Sequence, residues 1–123
     1  MIRKLLRKHT ISLRHAFDGL RWAAETQPNY VIHLVLSLLS LCGAYLLRVT
    51  YVEFLVLIVL IFVGLAIETV NTAIEVTTDA IDRKWREDIK VAKDVAAAAM
   101  LIYAIGAFAA ACIIFVPRIL NLL

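Results

Sequence analysis

The chain has 123 residues, of which 63% are hydrophobic and only 19% are charged, and its formal net charge is +3. Its mean hydropathy of +0.86 is high, because a soluble domain usually has roughly 45–50% apolar residues. This composition excludes a disordered chain, and without a Gly-x-Gly loop a Rossmann or P-loop nucleotide site has no support. We therefore predict an integral membrane protein.

Residues 1–28 are predicted to form an amphipathic helix on the membrane surface. Apolar side chains recur there at helical intervals and basic side chains occupy much of the remaining surface. A cleavable signal peptide is not expected, since this segment has no continuous apolar core. Pro28 and its neighbours are expected to end the helix, and Asn29 is expected to cap the next one.

Three apolar stretches are predicted to cross the membrane, at residues 30–47, 51–70 and 95–116. About 20 apolar residues are needed to span the hydrocarbon core as a helix, and open sheet edges do not survive in lipid. The predicted fold class is an all-α integral membrane protein with a surface helix and three transmembrane helices. The whole chain, 1–123, is taken as one membrane domain.

The distribution of basic residues predicts the orientation in the membrane. Of the thirteen lysines and arginines, six precede the first span and five lie between the second and third. By the positive-inside rule the N-terminus and the 79–94 connection face the cytoplasm. We interpret the positive net charge as the result of basic residues that set the membrane orientation and attract anionic lipid. No nucleic acid partner is expected.

A polar stripe at the end of the second span is the clearest functional signal. Glu68, Asn71, Glu75 and Asp79 fall within an arc of roughly 80° on one helix face. Acidic groups at this depth are costly and commonly functional, and carboxylates on one face repel each other. We therefore expect a cation to meet them: a metal ion, Lys93, or both.

The carboxylates of the stripe and some neighbouring residues also have structural interpretations, and for Glu68, which follows fourteen apolar residues, the alternative is a purely structural role. Asp79 is also explained as the solvated end of a helix, and Glu75 as a paired structural ion. Lys93 and Asp94 are also explained as ordinary charges at a helix entry. His33, on the first span, is more often an interior histidine with satisfied hydrogen bonds than a ligand.

The connection from Asp82 to Asp88 is short, basic and contains Trp85. One interpretation of Trp85 is an interfacial anchor, and the other is a platform on which a nucleotide base stacks. In the second case, Lys84, Arg86 and Lys93 would meet the phosphates. The nearby carboxylates suit the magnesium that phosphates carry, since this ion prefers oxygen ligands.

These residues resemble the signature of the small prokaryotic diacylglycerol/undecaprenol kinase family. The string Glu68-Thr-Val-Asn-Thr-Ala-Ile-Glu75-Val-Thr-Thr-Asp79, followed by Ala92-Lys-Asp-Val-Ala-Ala, carries the resemblance. Upstream, the segments 12–21 and 29–34 look like the family's N-terminal block. The resemblance covers nearly the whole chain and includes the same three-span layout.

The resemblance implies a homotrimer in the bacterial inner membrane that phosphorylates the hydroxyl of a membrane lipid, with ATP as donor and Mg²⁺ as cofactor. It implies Glu68 as the general base, and Asn71 and Asp79 as supporting polar residues. Phosphoryl transfer depends on positioning and charge neutralisation and on a base within reach of the acceptor. The implied nucleotide contacts are His15, Gln27, Glu75, Lys84, Trp85, Arg86, Lys93 and Asp94, and the implied metal ligands are Glu75 and Gln27.

One position departs from the family pattern, because Gln27 stands where a metal-binding glutamate is usual. This departure leaves open a catalytically silent family member that acts as a lipid-binding or scaffolding trimer. A second alternative is a cation-conducting subunit, since intramembrane carboxylates also line ion paths. The residues of these motifs look closer to those of the undecaprenol-preferring members of the family, which favours undecaprenol over diacylglycerol as the acceptor.

Overall fold

The computed structural model describes the backbone of residues 2–82, 84 and 86–122, and within these ranges the side chains from residue 12 onward. It contains four helices: α1 (Ile2–Thr26), α2 (Pro28–Leu46), α3 (Tyr51–Ile81) and α4 (Glu87–Leu120). The last three are long and apolar enough to cross a membrane. The predicted all-helical architecture with three long apolar helices is confirmed.

The break between α1 and α2 is at Gln27 and Pro28. Gln27 has an extended backbone and is the N-cap of α2, but its side chain makes no capping hydrogen bond. Pro28 occupies the first helical position, where its missing N–H costs nothing. The expectation that Asn29 caps this helix is wrong, because the helix starts at Pro28, two residues earlier than a cap at Asn29 would allow.

The turn between α2 and α3 is short, and backbone and side-chain hydrogen bonds close both of its ends. The N–H of Val49 donates to the carbonyl of Ala44 while Arg48 adopts a positive φ of 50°, the arrangement of a Schellman motif. Thr50 then caps α3 through a reciprocal capping box with Glu53. The two ends of the turn are thus fixed by backbone and side-chain bonds.

Helix α3 packs mainly against α4 and less extensively against α2. At the end of the bundle near the α2–α3 turn, Ala44, Leu57 and Ile114 form a small buried cluster. Beside this cluster, Arg118 of α4 makes two hydrogen bonds to the Glu53 carboxylate. Most large apolar side chains of the three long helices are exposed, as expected for surfaces that contact lipid or another subunit.

The lengths of α3 and α4 place the polar residues near one end of the bundle. At about 1.5 Å per residue, helices of 31 and 34 residues extend beyond a hydrocarbon core of about 30 Å. The apolar part of α3 ends at Ile67, and the polar stripe occupies its final turns beside the start of α4. The fold therefore brings the stripe and the basic connection to the same end of the molecule.

Candidate functional site

The polar stripe of α3 is deeply buried at its inner end. Glu68 is 2% exposed and Asn71 is 6% exposed, whereas Glu75 is half-buried and Asp79 is exposed. The stripe thus runs from an enclosed carboxylate to a solvent-accessible one over about 16 Å. This gradient suits a site that joins an apolar substrate at one end to a charged one at the other.

Glu68 lies where α2 packs on α3. The ionisable groups that act electrostatically on its carboxylate are His33 of α2 and Glu75, which lies seven residues further along α3. An acidic group so enclosed within the apolar part of a chain is a functional candidate by default. The sequence favours His33 as an interior residue, and the structure places it half-buried on α2.

Asn71 holds the middle of the stripe. Its side-chain amide donates to Glu75 Oε1 at 3.2 Å, and its own Oδ1 is buried without a hydrogen-bond partner among the described residues. A buried oxygen in this condition is costly, so Asn71 Oδ1 is a candidate acceptor for a further donor or a cation. Thr78 does not contribute in this way, since its hydroxyl donates to the backbone of its own helix.

A charged cavity of about 320 Å³ lies at the outer end of the stripe, between the end of α3 and the start of α4. In it, Lys93 Nζ contacts Asp79 Oδ1 at 2.5 Å. The structure therefore places a cation against the stripe, as like-charge repulsion required. Besides these two residues, the cavity is lined by Asp82, Lys84, Arg86, Ile89, Lys90 and Asp94.

The cations of this cavity are partly engaged by carboxylates. Arg86, the N-cap residue of α4, donates two hydrogen bonds to Asp88, and Lys90 binds Asp94 at 2.7 Å. The hydrogen bond from Arg86 lowers the pKa of Asp88, and the same bond raises the pKa of Arg86. Both groups are therefore charged at neutral pH, and both are exposed enough to exchange partners with an anionic ligand.

Several of the residues that the resemblance implies as nucleotide contacts line this cavity, and others do not. Lys84, Arg86, Lys93 and Asp94 line it, with Asp79 among them. Trp85 lies outside the described residues.

Two further predicted residues lie on or beside α1. His15 is exposed on α1 and does not line the cavity. Gln27 donates from its side chain to Thr26 Oγ1 at 3.3 Å, and among the described hydrogen bonds none joins it to Glu75. Asp82 and Lys90 also line the cavity but were not predicted as site residues, although their place in and beside the basic connection was a usable signal.

The fit of a magnesium ion to these residues depends on the oxygen donors they offer. Within the described residues, no group of three or more His, Cys, Asp or Glu side chains is arranged to hold a metal. Magnesium usually takes one or two protein carboxylates together with substrate phosphates and water. Glu75 and Asn71 Oδ1 supply oxygens of the right type, so the donor chemistry fits an ion that brings its remaining ligands with it. Neither residue lines the charged cavity, although Glu75 is also an implied nucleotide contact.

Comparison with known proteins gives one consistent result. The family model for prokaryotic diacylglycerol kinase matches residues 14–115. An undecaprenol kinase of Bacillus subtilis (strain 168) is 32% identical over 108 residues, which cover 88% of each chain. A diacylglycerol kinase of Synechocystis sp. (strain ATCC 27184 / PCC 6803 / Kazusa) is 32% identical over 114 residues, which cover 92% of this chain and 65% of that protein.

Proposed function

The chain belongs to the prokaryotic diacylglycerol kinase family, and we propose that it transfers the γ-phosphoryl group of ATP to the hydroxyl of a membrane lipid. The observation that carries this proposal is the gradient of the α3 stripe. It begins at a carboxylate buried among apolar helices, at Glu68, and ends at a cation-lined cavity around Lys93. A lipid hydroxyl suits the first environment and a nucleoside triphosphate suits the second.

Glu68 is proposed as the general base. Its carboxylate accepts the proton of the lipid hydroxyl while the hydroxyl oxygen forms a bond to the γ-phosphorus and the bond to the ADP oxygen breaks. A base must lie within hydrogen-bond reach of the acceptor, and the enclosed position of Glu68 limits competition from water.

The nucleotide is proposed to bind in the charged cavity. Lys84, Arg86 and Lys93 supply charge-assisted hydrogen bonds to phosphate oxygens, and Asp94 holds Lys90 at the cavity edge. The positioning of the γ-phosphate and the neutralisation of its charge account for most of the catalysis of phosphoryl transfer. Trp85 and His15 are proposed to contact the remainder of the nucleotide.

Magnesium is proposed to be held by Glu75 together with Gln27, and the free Oδ1 of Asn71 is a further oxygen donor. When bound, the ion neutralises phosphate charge and helps to align the γ-phosphoryl group. The hydrogen bond from Asn71 to Glu75 orients one carboxylate oxygen and leaves the other available. Asn71 and Asp79 thus serve as supporting residues of the site.

The acceptor is proposed to be undecaprenol in preference to diacylglycerol, and the protein is proposed to be a homotrimer. The residues of the motifs support this acceptor, whereas the two relatives, one named for each lipid, are both 32% identical to the chain. The charge distribution supports an inner-membrane location with the N-terminus and the 79–94 connection in the cytoplasm. The trimer follows from the family resemblance, and the exposed apolar surface of the bundle offers area for contacts between subunits.

The test is phosphoryl transfer by the purified protein in mixed micelles. Labelled ATP is supplied with either undecaprenol or diacylglycerol, with and without magnesium. We expect magnesium-dependent label in the lipid fraction, with a higher kcat/KM for undecaprenol. No labelled lipid from a folded, oligomeric sample would contradict the kinase proposal, whereas a preference for diacylglycerol would contradict only the choice of acceptor.

A further inference from the structure

An apolar cavity of about 410 Å³ lies between α2, α3 and α4. Its wall on α3 runs from Leu57 to Leu65, and its wall on α2 runs from His33 to Ser40. This volume is within the range of pockets that bind small molecules. Gly64 and Leu65 are the lining residues of α3 nearest to Glu68 along the helix, so the cavity ends about one helical turn from the proposed general base.

Tyr103 of α4 lies across the end of this cavity nearest Glu68. Its hydroxyl donates to the backbone carbonyl of Leu60 at 2.5 Å. Its ring lies directly on Gly64, since a Cβ added to Gly64 would come within about 2.6 Å of the tyrosine side chain. Leu60, Gly64 and Glu68 are spaced by four residues and therefore share one face of α3.

We propose that Tyr103 determines which hydrocarbon chains the enzyme accepts, by setting the width of the cavity one helical turn from Glu68. This inference rests on the proposed function, in which a lipid hydroxyl reaches Glu68. The chain attached to that hydroxyl has to leave the site through apolar surroundings, and the cavity provides such a path. A methyl-branched isoprenoid chain is wider than a straight chain, so a change in the width of the gap beside Tyr103 changes kcat/KM for the isoprenoid more than for the straight chain.

The first test compares two primary alcohols of matched length, one isoprenoid and one straight-chain, in mixed micelles. Tyr103→Ala widens the gap and raises the isoprenoid-to-straight ratio of kcat/KM about tenfold, the low end of what one pocket contact contributes. Gly64→Ala forces the ring into the cavity and lowers the same ratio. Tyr103→Phe keeps the ring and changes the ratio by less than about twofold.

Ile102→Ala is the matched control, because Ile102 precedes Tyr103 on α4 but is 72% exposed on another face. It leaves the ratio at the wild-type value. The proposal is overturned if Tyr103→Ala and Gly64→Ala both retain activity with an unchanged ratio. It is equally overturned if Ile102→Ala changes the ratio as much as Tyr103→Ala does.

A second measurement uses the wild-type protein and needs no catalysis. A photoactivatable straight-chain alcohol is cross-linked in the membrane, and the labelled peptides are identified by mass spectrometry. We expect labels on the cavity walls, at Leu57–Leu65 of α3 and near Ala107 of α4, that excess unlabelled alcohol prevents. Labels confined to lipid-facing positions, or a cavity filled by a helix of a second copy, would overturn the proposal.

The two experiments separate this inference from the proposed function. If the wild-type enzyme phosphorylates neither alcohol, the kinase proposal fails, while photolabelling still decides whether the cavity holds a hydrocarbon chain. If both alcohols are phosphorylated and the ratio does not respond to Tyr103 or Gly64, the kinase proposal stands and the role of Tyr103 fails.

Discussion

Lys93, in the second turn of α4, pairs with Asp79, near the end of α3, across the connection between the two helices. The pair joins the acidic stripe to the basic start of α4, although the two residues are 14 positions apart. The lysine side chain is 35% exposed and the aspartate side chain 55%, so solvent and ligands reach both. Lys93 is thus held at the border between the two halves of the proposed site.

Replacement of Lys93 by methionine is expected to weaken nucleotide binding. A hydrogen bond between a charged donor and its partner contributes roughly 1.5–3 kcal/mol, so the KM for ATP rises about ten- to hundredfold. Lys93→Arg keeps the positive charge and recovers most of this loss. Steady-state kinetics at saturating lipid measure the effect, and an unchanged KM for ATP in Lys93→Met would contradict a phosphate contact.

Gln27 is expected to limit the affinity for magnesium. An amide oxygen can bind the ion but brings no negative charge, so Gln27→Glu lowers the magnesium concentration for half-maximal activity. Gln27→Ala removes the oxygen and raises that concentration. Titration of activity with magnesium measures the concentration for half-maximal activity in the three proteins. Equal concentrations, or the reverse of the expected order, would show that residue 27 is not a ligand.

Asp88 is expected to compete with ATP for Arg86. Because the hydrogen bond from Arg86 lowers the pKa of Asp88, the carboxylate remains ionised at neutral pH. The stabilisation by this pair is lost only when the pH falls through that lowered pKa. Asp88→Asn releases Arg86 and lowers the KM for ATP roughly twofold at pH 7, a small effect because the pair is exposed.

The comparison for this variant is made at constant pH and saturating lipid. Glu87→Gln, which removes a neighbouring exposed carboxylate of the same helix turn, is the matched control and leaves the KM for ATP near the wild-type value. A higher KM in Asp88→Asn would mean that the pair positions Arg86 for the nucleotide rather than competing with it.

Arg118 is expected to stabilise the far end of the bundle without affecting catalysis. Its guanidinium donates to both oxygens of Glu53 and to the carbonyl of Ile114, which joins α4 to the capped start of α3. Arg118→Ala therefore lowers the melting temperature in detergent by several degrees, and Arg118→Lys lowers it less, because lysine lacks the planar fork. Loss of kcat with an unchanged melting temperature would contradict this purely structural role.

The helical spacing of the α3 stripe was predictable from sequence, and so was the need for a cation beside it. The spacing of Glu68 and Asp79 follows from helix periodicity alone, and Lys93 was one of the two partners expected. The N-cap of α2 was predicted wrongly, because the preference of asparagine for caps was given more weight than that of Pro28 for the first helical position.

Contacts between distant parts of the chain left no local signal in the sequence. Arg118 and Glu53 are 65 positions apart, and no sequence pattern around either residue predicts that they pair. Tyr103 was the only tyrosine in the third span, but its contact with Gly64 depends on how α3 and α4 pack. The burial of Glu68 beside His33 likewise results from the approach of two helices, which periodicity within one helix does not determine.

The measurement that tests the account most directly is the kcat of Glu68→Gln in the lipid phosphorylation assay. This substitution keeps the size of the side chain and removes its ability to accept a proton, and Glu53→Gln, on the same helix but paired with Arg118, is the matched control. We expect Glu68→Gln to lower kcat at least about a hundredfold with little change in the KM for ATP, and Glu53→Gln to remain active. A Glu68→Gln protein with a kcat close to that of the wild type would contradict the assignment of the general base.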